Sequence, residues 1–194
     1  RKNGIVFIGP TVESMNIMGD KLSAKQAAHD SNVPIISGSD FILPDAETAM
    51  AEADRIGYPV MLKASNGGGG RGMRIVERRE DMAEAFAKSE NESKRAFGES
   101  KLFLEKYLIR PKHIEVQILG DNYGNIVHLY DRDCSVQKNN QKVVEFAPAW
   151  TISDEIRKKI MDSAKRLARR VGYTNAGTME FLVDEEQHPF FIEM

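Results

Sequence analysis

The sequence lacks the cysteine pairs that stabilise small secreted domains and the long apolar runs that span membranes. Among its 194 residues there is one cysteine, Cys134, so neither an internal disulfide nor a cysteine-rich metal site can form. Its apolar runs are only a handful of residues long, too short to cross a bilayer, and no signal peptide is visible. We therefore expect a protein of a reducing compartment, cytoplasmic or, in a eukaryote, in the mitochondrial matrix, with no membrane partner.

The chain also lacks a surplus of either charge. It carries 27 Lys and Arg residues against 29 Asp and Glu residues, a formal net charge of −2. Proteins that coat nucleic acid need a basic surplus to neutralise phosphates, so nucleic acid is not an expected partner. A local basic pocket is compatible with this balance. The hydrophobic share of 41% is enough for a core, and the length fits one large domain or two small ones.

Hydrophobic periodicity and turn residues predict helices combined with antiparallel sheets, an α+β class. Helices are expected over 20–30, 45–56, 80–97 and 154–170, and single strands over 4–9, 34–36, 60–63, 73–76, 102–108 and 143–146. Two hairpins are expected, 113–119 with 126–133 and 180–183 with 190–193, and a polar loop over 137–142. The chain begins with Arg1 and ends inside an apolar run, which we interpret as a segment of a longer chain.

The most informative stretch is the glycine-rich segment 63–73, which has five glycines within six residues. The exposed amides of such a backbone can approach phosphate oxygens closely. It is not a Walker A loop, because no Gly-Lys-Ser/Thr follows, and it does not open a helix as a dinucleotide fingerprint does. We predict a strand–loop–strand flap that closes over a nucleotide, with Lys63 placed to reach a phosphate. The alternative is a plain flexible loop.

Two glutamates are expected to face each other across the last hairpin. If Val183 pairs with Phe190, then Glu180 pairs with Glu193, and cross-strand Cβ atoms lie about 5 Å apart. The two carboxylates would repel each other unless a cation lay between them, and Mg²⁺ bridging nucleotide phosphates is the natural occupant. A pair of solvated glutamates in another register stays open as the alternative.

Residues 132–142 contain several cationic and amide side chains, a set that can bind an anion. Composition alone favours a solvated hairpin end. His113 and His128 lie on the strands of one hairpin, where a histidine is more typical of the sheet than of a ligand set. Cys134 is expected to be a buried thiol.

In their order along the chain, these motifs resemble the biotin carboxylase family of the ATP-grasp superfamily. The matching segments are 18–21, 63–73, 105–108, 113–115, 132–135, 141–145, 176–182 and 191–194. Segments 124–130 and 171–177 look most like the biotin carboxylase domains of pyruvate carboxylases. The resemblance implies an ATP-grasp fold in three parts: the end of an N-terminal subdomain with a linker helix over 1–35, a lid over 36–107, and the first part of the C-terminal subdomain over 108–194.

The resemblance also implies an activity and roles for single residues. The family uses MgATP to activate bicarbonate as carboxyphosphate, and the resulting CO₂ carboxylates biotin. Lys142 would lie beside bicarbonate and the γ-phosphate as the catalytic residue of this chain. The implied nucleotide contacts are Lys21, Lys63, Gly69, Gly70, Glu105, Lys106, Tyr107, Leu108, His113, Gln137 and Asn140, with Glu180 and Glu193 binding Mg²⁺ (or Mn²⁺).

The implied partners are biotin on a carrier domain, a carboxyltransferase and, in the parent, further copies of the same chain. Pyruvate carboxylase is the favoured parent, with acetyl-CoA and propionyl-CoA carboxylases as alternatives. Another ATP-grasp ligase, such as a carbamoyl-phosphate synthetase-like enzyme, and a non-catalytic assembly module are the rival functions. Loss of the phosphate lysines or of the metal carboxylates would indicate the module, and both sets are present.

Two departures from the family pattern matter. Where the family shows Gln-Arg-Arg-His-Gln-Lys, this chain has Lys138, Asn139 and Asn140 in the middle positions. Lys138 keeps the charge but loses the bidentate fork, Asn139 loses the charge, and some members carry asparagine at the position of Asn140. The chain also ends before the family's Asn-x-Arg-x-Gln-Val-Glu-His segment, so we expect the 194-residue piece alone to be inactive in biotin carboxylation.

Overall fold

The computed structural model describes residues 3–65 and 72–194. Its helices are α1 (Val12–Gly19), α2 (Lys21–Asp30), α3 (Ala46–Ile56), α4 (Met82–Phe97) and α5 (Asp154–Arg170), with a short 3-10 turn at Arg79–Asp81. Its strands are β1 (Val60–Ala64), β2 (Arg74–Val76), β3 (Leu102–Lys106), β4 (Lys112–Gly120), β5 (Ile126–Lys138), β6 (Gln141–Phe146), β7 (Asn175–Val183) and β8 (Pro189–Glu193). Within these ranges no helix is long and apolar enough to cross a membrane.

The strands form two antiparallel sheets. A three-stranded sheet has the order β2-β1-β3, and a five-stranded sheet has the order β6-β5-β4-β7-β8. Every strand pair within these sheets is antiparallel. The predicted α+β class is therefore confirmed.

One face of the five-stranded sheet is apolar and is covered by α5 and α2. On β4, Ile114, Val116 and Ile118 alternate with polar residues, and all three are fully buried. They share a core with Ile160 of α5 and Ala28 of α2. Because successive side chains of a strand point to opposite faces, the polar residues of β4 lie on the other face, which remains available for a binding site.

A second core lies under the three-stranded sheet. Leu62 of β1 and Leu104 of β3 pack there with Ala53 of α3 and Met82 of α4. All four side chains are fully buried. The two sheets therefore have separate apolar cores.

Helix α5 begins and ends where its sequence predicts. The Ser153 hydroxyl oxygen accepts a hydrogen bond from the backbone N–H of Ile156 at 3.3 Å. The first turn is acidic and the last turn is basic, which suits the helix dipole: Asp154, Glu155, Arg169 and Arg170.

Replacement of Ser153 by alanine should loosen the first turn of α5 by about 1 kcal/mol, because the N–H of Ile156 loses its acceptor. In hydrogen–deuterium exchange of the full-length protein, amides at the start of α5 should exchange roughly five times faster. Ser153→Asp keeps an acceptor and should behave like the wild type. Equal protection in the alanine variant would show that this cap does not stabilise the helix.

Two predicted strands near the beginning of the chain are wrong. Residues 4–9 form no strand, and Ile5 and Ile8 are exposed, because no described residue pairs with this segment. The segment 34–36 makes a single bridge, from Ile35 to the last strand, instead of a strand of its own. The apolar pattern also fails to predict α1, whose residues are mostly exposed.

The predicted polar loop over 137–142 is instead a tight hairpin. Strand β5 continues to Lys138 and β6 begins at Gln141, so that only Asn139 and Asn140 remain in the turn. Both asparagines have positive φ, 52° and 61°. Asparagine tolerates this left-handed conformation, and two-residue turns of this kind match the twist of the flanking strands. The predicted loop is wrong because the polar composition of these residues, typical of a loop, is also compatible with two strand ends joined by an Asn-Asn turn.

The last hairpin contains one irregularity. Glu180 lies opposite Glu193, as predicted, but Val183 lies opposite Pro189 rather than Phe190. A register shift just after Glu180 makes up the difference of one residue, as a bulge does. The pairing of the two glutamates is therefore confirmed, and the Val183–Phe190 pairing from which it was predicted is wrong.

Candidate functional site

A cleft of about 1010 Å³ is lined by residues of both sheets and of α2. Among them are twelve residues singled out in the sequence: Lys21, Lys63, Glu105, Lys106, Tyr107, Leu108, His113, Gln137, Asn140, Lys142, Glu180 and Glu193. Gly69 and Gly70 lie outside the described residues. Side chains from distant parts of the chain thus converge on one place.

The polar face of the large sheet carries a transverse row of charged residues. Arg132, Glu115, Glu180 and Glu193 follow one another on β5, β4, β7 and β8, each opposite the next in register. Cross-strand neighbours on one face have Cβ atoms about 5 Å apart. Three adjacent carboxylates repel each other, so this row needs cations beyond Arg132.

Lys142 supplies one of these cations from β6. Its Nζ donates to Glu180 Oε1 at 2.7 Å and also to Glu115 Oε2. Burial alone would lower the pKa of Lys142, but its hydrogen bonds to Glu115 and Glu180 raise that pKa above its ordinary value. Lys142 is therefore a fixed positive charge between two carboxylates.

Glu115 holds this lysine from within the sheet. Its side chain is buried and accepts hydrogen bonds from both Lys142 and Arg132. Burial favours the neutral acid, yet these hydrogen bonds lower the pKa of Glu115 below its usual value. An ionised Glu115 thus orients both cations towards the cleft side of the sheet.

His113 and Gln137 hold Glu180. Gln137 Nε2 donates to the carbonyl of Cys134 at 2.9 Å and lies 2.7 Å from His113 Nδ1. Because an amide nitrogen only donates, Nδ1 accepts, and the Nε2–H of His113 donates to Glu180 Oε2 at 2.7 Å. Burial would raise the pKa of Glu180, but the hydrogen bonds from His113 and Lys142 lower it to about 2. Glu180 is a carboxylate at neutral pH.

A second charged cluster joins the small sheet to α2. The buried carboxylate of Glu105 on β3 lies 2.8 Å from Nζ of Lys25 and also bonds Nζ of Lys63. Burial would raise the pKa of Glu105, but the two lysines lower it. At the start of the same helix, Lys21 Nζ lies 3.7 Å from Glu193 Oε2. Helix α2 therefore contributes cations to both ends of the cleft's charged lining.

The segment 105–108 begins with Glu105 of this cluster and continues past Lys106, where β3 ends. The Lys106 ammonium donates to the carbonyls of Gly57 and Tyr58, each at 2.9 Å. Its backbone N–H donates to the carbonyl of Ser37 at 2.7 Å. The backbone N–H of Lys106 and two of the three N–H groups of its ammonium are thus engaged by the protein.

Glu180 and Glu193 are the carboxylates suited to a divalent cation, since paired carboxylates combined with phosphate oxygens match Mg²⁺. Among residues 3–65 and 72–194, one group offers three ligand atoms within 4.8 Å of each other: Glu115, Cys134 and Glu145. That group fits a metal poorly. A cysteine binds a metal as its thiolate, and burial, with Glu115 nearby, raises the pKa of the Cys134 thiol to about 12.

Sequence reasoning assigns no role to Glu115 or Lys25, and it names Arg132 only as part of the stretch 132–142 that can hold an anion. The alternation of β4 is a signal for Glu115, because it places this residue on the same face as His113. For Lys25 the signal is its place beside the buried Ala28 on the inner side of α2, where a lysine requires a partner.

Comparisons with known proteins agree with the fold. Residues 20–194 match the family model of the carbamoyl-phosphate synthase L chain, ATP binding domain. Pyruvate carboxylase 1 of Caenorhabditis elegans is 53% identical over 191 residues, which are 98% of this chain and 16% of that protein. The structure of a biotin carboxylase–β-γ-ATP complex from Campylobacter jejuni has a TM-score of 0.97 and 48% identity, and covers 100% of this chain and 43% of that one.

A third relative is the biotin carboxylase domain dimer of the Hydrogenobacter thermophilus 2-oxoglutarate carboxylase, whose structure contains MgADP, ADP and bicarbonate. It has a TM-score of 0.95 and 48% identity, with 100% of this chain and 43% of that chain covered. The chain thus spans less than half the length of these relatives, and only 16% of the C. elegans protein.

Proposed function

The chain belongs to the family of the carbamoyl-phosphate synthase L chain, ATP-binding domain, with the ATP-grasp fold of the biotin carboxylases, and from this premise we propose that it forms the MgATP site of a biotin carboxylase. The proposed reaction of the parent protein is the ATP-dependent carboxylation of biotin with bicarbonate, through carboxyphosphate. Pyruvate carboxylase is the favoured parent, in line with the 53% identity to the C. elegans protein. Acetyl-CoA and propionyl-CoA carboxylases are the alternatives.

The observation that carries the proposal is the position of Lys142 in the cleft. It bridges Glu115 and Glu180 while the cations of α2 and β1 line the same cavity. Such a lining suits a polyphosphate with an attached cation, because it alternates ammonium groups with carboxylates. Positive charge around the transferring phosphoryl group supplies most of the catalysis of phosphoryl transfer.

In the proposed mechanism, Lys21 and Lys63 bind the phosphates of ATP and residues 105–108 bind the adenine. Lys142 lies beside bicarbonate and the γ-phosphate and stabilises the negative charge that develops as bicarbonate attacks. His113 and Gln137 lie near the nucleotide. Mg²⁺, when bound by Glu180 and Glu193, neutralises phosphate oxygens. The carboxyphosphate formed breaks down to CO₂ and inorganic phosphate, and the CO₂ carboxylates N1 of biotin as N1 loses its proton.

The remaining nucleotide contacts, Gly69, Gly70 and Asn140, are part of the same proposal, as is the division into 1–35, 36–107 and 108–194. The separate core under the small sheet supports the division 36–107, whereas residues of 1–35, such as Ala28, share one core with 108–194. The proposed partners are a biotin carrier domain, a carboxyltransferase and a second copy of the parent chain. The dimer of the H. thermophilus domain supports that last partner.

The test is the nucleotide chemistry of the full-length protein that contains this chain. We expect ATP hydrolysis that depends on bicarbonate and rises when free biotin is added, measured as phosphate release. Hydrolysis stimulated by ammonia and indifferent to biotin would favour the carbamoyl-phosphate synthetase-like alternative. A protein that binds no ATP would be the assembly module.

A further inference from the structure

We propose that Lys25 is a positioning residue, which supplies the counter-charge of Glu105 and so leaves Lys63 free to bind a phosphate group. The inference rests on the proposed nucleotide site. It assigns a role to a buried lysine of α2 that does not itself need to contact the nucleotide.

The side chain of Lys25 is held in one place by three partners. Its Nζ lies 2.8 Å from Glu105 Oε1 and donates to the carbonyl of Ile36 at 3.2 Å. The same ammonium lies 5.7 Å from the ring centre of Phe103, close enough for a cation–π interaction. Only 10% of the Lys25 side chain is exposed, whereas lysines are almost never buried without a partner.

The backbone of the segment after Ile36 closes this cluster on one side. A Cβ at Gly38 would lie 2.4 Å from the carbonyl oxygen of Leu104 and 3.0 Å from both Glu105 Cγ and Lys25 Nζ. No side chain fits at such distances, so glycine is required there for the backbone to approach. With the carboxylate itself 7% exposed, the pair is shielded from water, and its electrostatic interactions are stronger than at the surface.

The charges of the cluster do not cancel. One carboxylate, Glu105, faces two ammonium groups, Lys25 and Lys63, which leaves a net charge of +1 beside the cleft. Without Lys25, the pair of Glu105 and Lys63 would be neutral. An anionic ligand would then have to compete with a buried carboxylate for the only nearby ammonium group of the cluster.

The two lysines differ in what they can do. Lys63 is bonded to Glu105 and is the next-to-last residue of β1, whereas Lys25 has a carbonyl and a ring as additional partners. When a phosphate group binds Lys63, the buried carboxylate of Glu105 remains paired with Lys25. An unpaired buried charge is strongly unfavourable, so this arrangement lowers the cost of the exchange.

The experiment compares nucleotide binding by the wild type and by Lys25→Met in the full-length protein, with MgADP and adenosine as probes in calorimetry. We expect the dissociation constant of MgADP to rise about tenfold, and that of adenosine, which has no phosphate, to stay unchanged. In steady-state assays the change should fall on KM for ATP rather than on kcat. Lys159→Met, which removes an exposed lysine of α5, should bind like the wild type.

Two further variants separate positioning from mere structural support. Lys25→Arg keeps the charge and should bind MgADP like the wild type. In the double variant Lys25→Met with Glu105→Gln, the cluster regains its net charge, so the loss of MgADP affinity relative to that of adenosine should be smaller than in Lys25→Met alone. Equal MgADP affinity in Lys25→Met and the wild type, equal losses for MgADP and adenosine, or a double variant with a larger relative loss than the single one would each overturn the inference. A wild type that binds no nucleotide would instead overturn the proposed function.

Discussion

Replacement of Lys142 by alanine should lower bicarbonate-dependent ATP hydrolysis by at least about a hundredfold, because it removes a preorganised positive charge where charge develops in phosphoryl transfer. The lysine lies between two ionised carboxylates, and both raise its pKa, so it is charged throughout the working pH range. Its contribution is therefore electrostatic stabilisation rather than proton transfer.

The measurement for Lys142→Ala combines phosphate release with binding of MgADP, which lacks the γ-phosphate. We expect hydrolysis to be nearly lost while MgADP affinity changes little. The matched control is Lys94→Ala, which removes an exposed lysine of α4 that pairs with Glu90. Normal turnover in Lys142→Ala would contradict the assignment. Loss of MgADP binding together with turnover would show that the lysine supports the site rather than the reaction.

Replacement of Glu180 by glutamine should raise the Mg²⁺ concentration that ATP hydrolysis requires. We expect an increase of roughly tenfold to a hundredfold or more, because the loss of a residue that only supports a metal ligand already lowers metal affinity by that much. The change keeps the size of the side chain but removes the charge that faces Glu193 across β7 and β8. Glu180 accepts from His113 and Lys142 through its two different oxygens, and glutamine has one acceptor oxygen, so it can hold one of the two donors but not both, and maximal turnover should fall too.

A titration of ATP hydrolysis with Mg²⁺, repeated with Mn²⁺, checks this second prediction. The control is Glu185→Gln, in the loop of the same hairpin, where the exposed carboxylate pairs with Arg110. The control should keep the wild-type metal dependence. If Glu180→Gln also kept it, the metal would have to be bound elsewhere in the protein.

The sequence predicts the elements that build the site better than it predicts their contacts. Strict alternation over 113–118 shows which residues of β4 face away from the core, because a strand has a period of two. The capping residue and the charges at the two ends of α5 predict where this helix begins and ends. Both signals are local, and both elements form as predicted.

Features that depend on contacts with residues far along the chain cannot be predicted from local sequence patterns. Residues 4–9 are apolar enough for a strand, but a strand exists only where another pairs with it, and no described residue does. The irregularity after Glu180 leaves no mark in the sequence, so the predicted pairing of the two glutamates is correct although the neighbouring Val183–Phe190 pair is wrong. Likewise, the partners of Lys25 lie on other elements and become apparent only when α2 packs beside β3.

A structure of the full-length protein with Mg²⁺ and a non-hydrolysable ATP analogue tests the central claim most directly. The account predicts adenine against residues 105–108, phosphates at Lys63 and Lys21, the γ-phosphate beside Lys142, and a metal ion between Glu180 and Glu193. A nucleotide bound outside this cleft, or one whose phosphates point away from Lys142, would contradict it.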